Sequence, residues 1–182
     1  MSLDRPQVIE HAFSIVRDRG LAALSMRRLA GDLGVVPGAL YWHVASKQEL
    51  LAAVAERIVA DGPSPIASRD PRQLAHELRA ALLAARDGAE VVSFALALKP
   101  DRLKPLRLLQ DAFSATMPAG QALWAARTLI YFVLGAVAEE QNQAELVRTG
   151  VLPADTPPSN TDESFIFGVD VILTGLGATM RS

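Results

Sequence analysis

LSMRRLAGDLGVVPGALYWHVASKQELL, Leu24 to Leu51, holds the signals that decide the fold. Ser25 stands just before a run in which Leu29, Ala30 and Leu33 recur at helical spacing, so it reads as the cap of a helix over Met26–Leu33. Gly34 ends that helix, and after a short turn a second one is expected near Pro37–His43. Ser46-Lys47-Gln48-Glu49 has the form of a capping box that opens a further helix to about Ala60. Two short helices joined by a tight turn around a glycine have the proportions of a helix-turn-helix.

A helical wheel sharpens this. At about 100° per residue, Val36, Leu40 and Val44 share one face, while Gly38 and Trp42 point the opposite way, flanked by Ala39 and Tyr41. The aliphatics are therefore expected inside, and one of the two tryptophans of the chain outside. Isolated exposed apolar residues are common, so a seam with a neighbouring domain is one explanation of Trp42. Chance is another, and a partner is the third; DNA fits it. The Tyr41 hydroxyl and His43 ring N–H would donate to phosphates, Trp42 would pack on a sugar or a thymine methyl, and Pro37, Gly38 and Ala39 would let the backbone approach base edges. Lys47, at the next helix start, would add a phosphate contact. Arg27 can reach a phosphate or a guanine edge.

The remainder of the chain is consistent with an all-α protein. Half of its 182 residues are apolar, with Ala and Leu abundant and β-branched residues sparse. There is no cysteine, and His11, His43 and His76 stand alone, so neither a disulfide, a resident metal nor a cofactor is expected. The net charge of −2 argues against a chain coated for nucleic acid, but residues 1–60 hold seven Lys/Arg against six Asp/Glu, and residues 61–182 hold eleven against fourteen. The basic excess sits at the front. The N-terminus shows no signal-peptide pattern, so a cytoplasmic location is expected. Ala122–Ala138 and Ser164–Met180 are apolar, yet each carries a charge, Arg127 or Asp170, and buried helices are expected rather than membrane spans.

A first helix is expected over about residues 6–18, with Asp4 as cap and Gly20 as stop. Asp61–Pro71 holds three prolines and marks the expected boundary between domains 1–60 and 61–182. Beyond it, a helix is expected from Asp70-Pro71 to about Asp87, where Gly88 interrupts; Ala89–Leu98 is apolar, Pro100–Met117 is mixed, and Pro118 to about Leu146 is a long amphipathic stretch. Val147–Asp162 reads as a disordered loop, and Thr161 or Asp162 as the cap of a last helix to about Met180.

Leu24–Leu51 resembles the DNA-binding domain of the TetR family of transcriptional repressors, whose third helix commonly ends in LYWH or LYYH before a short turn and Lys. The likeness runs without a gap over about residues 5–55. It implies DNA contacts from Ser25, Arg27, Pro37, Gly38, Ala39, Tyr41, Trp42, His43 and Lys47. RDGAEV (Arg86–Val91), LGAVAEEQ (Leu134–Gln141) and FIFGVDVILTGL (Phe165–Leu176) are similar to the C-terminal core of the tetracycline-repressor subclass. That resemblance implies a homodimer, built by the long helix and the last helix of two copies, that reads a near-palindromic double-stranded operator. Two stripes of the last helix suit such packing, Phe165, Gly168, Ile172, Gly175 and Ile166, Val169, Leu173, Leu176.

The likeness fails where that subclass holds its magnesium-bound drug. On an ungapped alignment its metal-binding histidine falls on Val92, two polar drug contacts on Ala95 and Leu96, and two amides on Leu74 and Leu108; only Glu139 is retained. A hydrophobic effector other than magnesium-tetracycline is expected, in a pocket drawn from Leu74, Leu78, Val92, Leu96, Leu108, Phe113, Leu123, Trp124 and Arg127, with Arg127 anchoring an anion or carbonyl. An apolar helical stripe is also what a plain core looks like, so a C-terminal domain that only dimerises or meets a protein partner stays open. A helical enzyme finds no support, since the chain carries no nucleophile, base and phosphate-loop constellation.

Overall fold

The computed structural model describes residues 3–63 and 66–179, and among them every regular element is helical. Helix α1, Arg5–Arg19, opens on a full capping box: Asp4 Oδ1 accepts from the Gln7 amide at 2.8 Å and Gln7 Oε1 from the Asp4 amide at 3.1 Å. It stops at Gly20, whose φ of +84° suits a residue without Cβ. Helix α2, Met26–Asp32, is capped by Ser25, whose Oγ accepts from the Arg28 amide at 3.1 Å. Gly34, at φ +67°, turns the chain into α3, Pro37–Leu40, and then α4, Lys47–Ala60, follows.

Helix α3 is shorter than expected. Its last residues, Tyr41 to His43, form a turn closed by bonds to the third residue back: Tyr41 to Gly38 at 3.3 Å, Trp42 to Ala39 at 3.4 Å, His43 to Leu40 at 2.9 Å. So short a helix, with a mid-helix glycine and no side-chain cap, is not stable alone. Packing of Leu40 and Val44, both buried, holds it. Val36 departs further from the wheel: it stands outside, 71% exposed.

The capping box at Ser46 is only half formed. Ser46 Oγ accepts from the Glu49 amide at 3.1 Å, but the Glu49 carboxylate turns away to Lys99 and Arg102. Helix α4 is buried at Leu50 through Ala55 and again at Ile58 and Val59, because α1 covers one side and the later helices the other. A continuous apolar core therefore runs from the head through α4 into the C-terminal helices. Ile66, in the proline-rich 61–71 segment, is itself buried in that core.

The C-terminal helices are α5 (Pro71–Leu83), α6 (Gly88–Leu98), α7 (Lys104–Ser114), α8 (Ala119–Arg148) and α9 (Asp162–Thr179). Helix α8, 30 residues and about 45 Å long, packs on α5, α6, α7 and α9. It is long and apolar enough to span a membrane by composition, but the apolar positions from Ala122 to Val137 include eight that this packing buries. Arg79 of α5 fastens α9, pairing with Glu140 at 3.0 Å and Asp162 at 2.7 Å while lying 4.9 Å over the Phe165 ring. Arg72 pairs with Asp170 across the same helices. Phe132 packs closely over Gly168, where a Cβ would stand 2.2 Å from the ring and force it to shift.

The 147–162 connection, expected to be disordered, is ordered. Gln143 donates to the Pro157 carbonyl at 2.7 Å and accepts from the Ser159 amide at 2.6 Å. Thr161 caps α9 by accepting from the Ser164 amide at 3.2 Å. The expected end of the last helix at Met180 lies outside the described residues.

Candidate functional site

The outer face of the head is built from α2, α3 and the start of α4. Leu29, Ala30, Leu40 and Val44 face inward and are buried. The opposite side presents Trp42, 90% exposed, with Tyr41, Pro37 and Gly38 also exposed and Ala39 and His43 half-buried. Gly38 has no positive φ, and a Cβ added to it would meet nothing within 4 Å, so nothing among the described residues requires a glycine there. A glycine at that place in a helix costs about 1 kcal/mol relative to alanine. The open space is usable by a partner.

Cations flank this surface. Arg27 and Lys47 are exposed and make no ion pair among the described residues, whereas Arg28 is drawn back onto Asp32 at 3.7 Å. Lys47 sits at the first turn of α4, where unpaired amides and the helix dipole favour an anion. Ser25 is exposed, and its Oγ, which accepts from the Arg28 amide, still has its hydroxyl hydrogen to donate.

Two ties join the head to the C-terminal helices. Glu49 is paired with Lys99 and, at 3.1 Å, with Arg102, whose Nε also lies 2.6 Å from Glu56. Hydrogen bonding to Lys99, then to Arg102, holds the Glu49 carboxyl below the ordinary glutamate range. The second tie is Asp87, left-handed at φ 55°, whose Oδ2 accepts from the Leu21 amide at 2.7 Å; the adjacent Arg86 amide donates to the Arg17 carbonyl at 3.3 Å. Neither tie is visible in the sequence, since Lys99 is 50 residues from Glu49 and Asp87 is 66 from Leu21, with no shared periodicity.

The residues expected around an effector fall into three groups. Leu74, Leu78, Val92, Leu96 and Phe113 are buried together in the core of the C-terminal helices; Leu108, Leu123 and Arg127 are half-buried; Trp124, 69% exposed, and Glu139 are at the surface. Arg127 Nε is buried without a hydrogen-bond partner, and its guanidinium makes no ion pair among the described residues. An unpaired buried donor costs about 1–3 kcal/mol unless a ligand meets it. A groove of about 670 Å³ opens elsewhere, between α6 and α8, lined by Phe94, Tyr131, Leu134, Gly135 and their neighbours.

Known proteins bear on both regions. A family model described as bacterial regulatory proteins, tetR family, matches residues 8–54, and one described as tetracyclin repressor-like, C-terminal domain, matches residues 68–156. The class C tetracycline repressor protein of Escherichia coli is 36% identical over 146 residues, covering 76% of this chain and 67% of that one. The crystal structure of BioQ with its natural double-stranded DNA operator superposes at a TM-score of 0.75 with 36% identity, covering 97% of this chain and 99% of that one. A TetR variant from Acinetobacter baumannii AYE in complex with minocycline superposes at 0.78 with 30% identity, covering all of both chains.

Proposed function

The chain belongs to the TetR family of DNA-binding transcription regulators and is not an enzyme, and from that premise we propose that it is a ligand-released repressor acting as a homodimer in the cytoplasm. In this reading each head lays α3 in the major groove of one half of a near-palindromic operator. Ser25, Tyr41, His43 and Lys47 grip phosphates, Arg27 a phosphate or guanine edge, and Trp42 a sugar or thymine methyl. Pro37, Gly38 and Ala39 bring the backbone to the base edges. The observation that carries this reading is the outward row Tyr41-Trp42-His43 beside two unpaired cations, with the aliphatic residues Leu40 and Val44 buried behind it. The BioQ relative, held with its operator, supports it.

Dimerisation is supported by an apolar surface on α9 and α8: Phe167 is 71% exposed, Ile166, Val171 and Tyr131 are exposed, and Gly135 leaves open space for a second backbone. The outward face thus differs from the stripes read in the sequence, in which Phe165 and Val169 prove to be buried against the protein's own helices. A two-fold dimer sets two heads on successive grooves.

The effector in this proposal is a small apolar molecule carrying an anionic or carbonyl group for Arg127, with Leu74, Leu78, Val92, Leu96, Leu108, Phe113, Leu123 and Trp124 as its surroundings and Glu139 at the margin. Val92 in place of a histidine argues against a magnesium-tetracycline complex. Effector binding favours a dimer whose heads are wrongly spaced, with α4 as the coupling helix; a differential affinity of a few kcal/mol suffices. The test is operator binding at fixed salt, on a duplex selected from random DNA, before and after addition of compounds that raise the melting temperature. Unchanged operator affinity in the presence of every stabilising compound would remove the switch from the proposal.

A further inference from the structure

Val36 is apolar, stands on the head, and is left largely uncovered by the described residues, 71% exposed. Resting on the assignment of α3 as recognition helix, we propose that Val36 is a specificity-determining residue that reads the 5-methyl group of a thymine in each operator half-site. The sequence wheel sends it to the core, but Leu40 and Val44 already fill that role and Val36 is left 71% exposed. Its mount is rigid. The backbone is extended at φ −75°, ψ 145°, its carbonyl accepts from the Ala39 amide at 2.9 Å, and the preceding Val35 amide donates to the Ala30 carbonyl at 2.9 Å. The side chain therefore projects from a fixed point at the leading end of α3 rather than from a loose loop.

The approach to it is open, since Pro37 beside it is exposed and Gly38 leaves space where a side chain would stand. The chemistry then selects one base. Edges in the major groove offer hydrogen-bond donors and acceptors, and the thymine methyl is the apolar feature among the four unmodified bases. Valine has no hydrogen-bonding group, so against any other edge it would displace water from a polar atom and replace it with nothing. Against thymine it removes a methyl from water, a gain of about one buried carbon.

The experiment uses the full chain and a duplex that it selects from random DNA. Each thymine of one half-site is replaced in turn by uracil, which lacks only the methyl, and affinity is read by fluorescence anisotropy at fixed salt. The expected result is one position at which uracil weakens wild-type binding about fourfold, the equivalent of about 0.8 kcal/mol. Val36→Ala should bind thymine and uracil at that position within about 1.5-fold of each other, with an unchanged melting curve. Indifference of the wild type to methyl loss at every position overturns the proposal, as does an undiminished fourfold penalty in Val36→Ala. Tyr41→Ala and His43→Ala separate the two levels. If they weaken binding while the methyl response of Val36→Ala stays at fourfold, the assignment of Val36 falls alone; if they bind as tightly as wild type, the recognition-helix reading falls with it.

Discussion

At the scale of single residues, side chains that hold the fold stand next to side chains that the proposed function assigns to DNA. Tyr41 is exposed and His43 half-buried on the outer face, and neither side chain makes a hydrogen bond or ion pair among the described residues. Replacing either by alanine is expected to lower operator affinity about tenfold, the usual worth of a hydrogen bond to a charged group, while the thermal midpoint stays within about a degree. Anisotropy titration and a circular dichroism melt check both halves. Leu40 is the opposite case, fully buried one residue before Tyr41. Leu40→Asp places an unpaired charge in the head core at a cost of about 3–5 kcal/mol, so loss of DNA binding should come with loss of helical signal. The direction of Trp42 was legible because 100° per residue holds through Leu40. Val36 was not legible, because its backbone is extended, α3 begins only at Pro37, and the wheel does not apply to it.

At the scale of elements, the capping signals were readable and the interhelix ties were not. Asp4, Ser25, Asp70 and Thr161 all cap as their positions suggest. Glu49 carries the same local signal, yet Lys99 and Arg102 compete for its carboxylate and win, since two cations outweigh one backbone amide. Its folded-state pKa is depressed, so the stabilisation it contributes is present above the ordinary value of 4.5 and is lost as pH falls through the lower folded value. Glu49→Gln should therefore melt below wild type near pH 7, and the gap between the two should close on acidification below about pH 4. A constant gap down to pH 3 would show that the ion pair does not carry the tie. The turn between α5 and α6 has a steric requirement of its own. A Cβ at Gly88 would stand 2.3 Å from the Leu82 carbonyl oxygen, so Gly88→Ala should cost about 2–4 kcal/mol by forcing backbone apart, measured by denaturant titration.

At the scale of the whole molecule, the outward apolar face of α9 carries the proposed dimer. Phe167 and Val171 lie four residues apart on the exposed side of α9. Phe167→Asp is expected to convert a dimer into a folded monomer in light scattering, with a melting curve that stays cooperative. Operator affinity should then fall by at least a hundredfold, and its salt dependence should drop toward half, because one head in place of two displaces fewer counterions. A monomeric variant with wild-type affinity would contradict the two-head reading.

By itself the sequence determined the helical class, the caps, the reading head and the outward aromatic row, because each of these depends on neighbours within a few residues: helical spacing, a cap three residues from its amide, a glycine where the chain must turn. Tertiary structure alone decided the rest. The hook of Asp87 on Leu21 spans 66 residues, the partners of Glu49 lie 50 and 53 residues away, and the inward side of α9 is set by Phe132 and Arg79 on other helices. Such contacts leave no periodic trace along the chain, since which charge finds which partner, and which apolar face is covered, is settled only when separate helices compete for the same space.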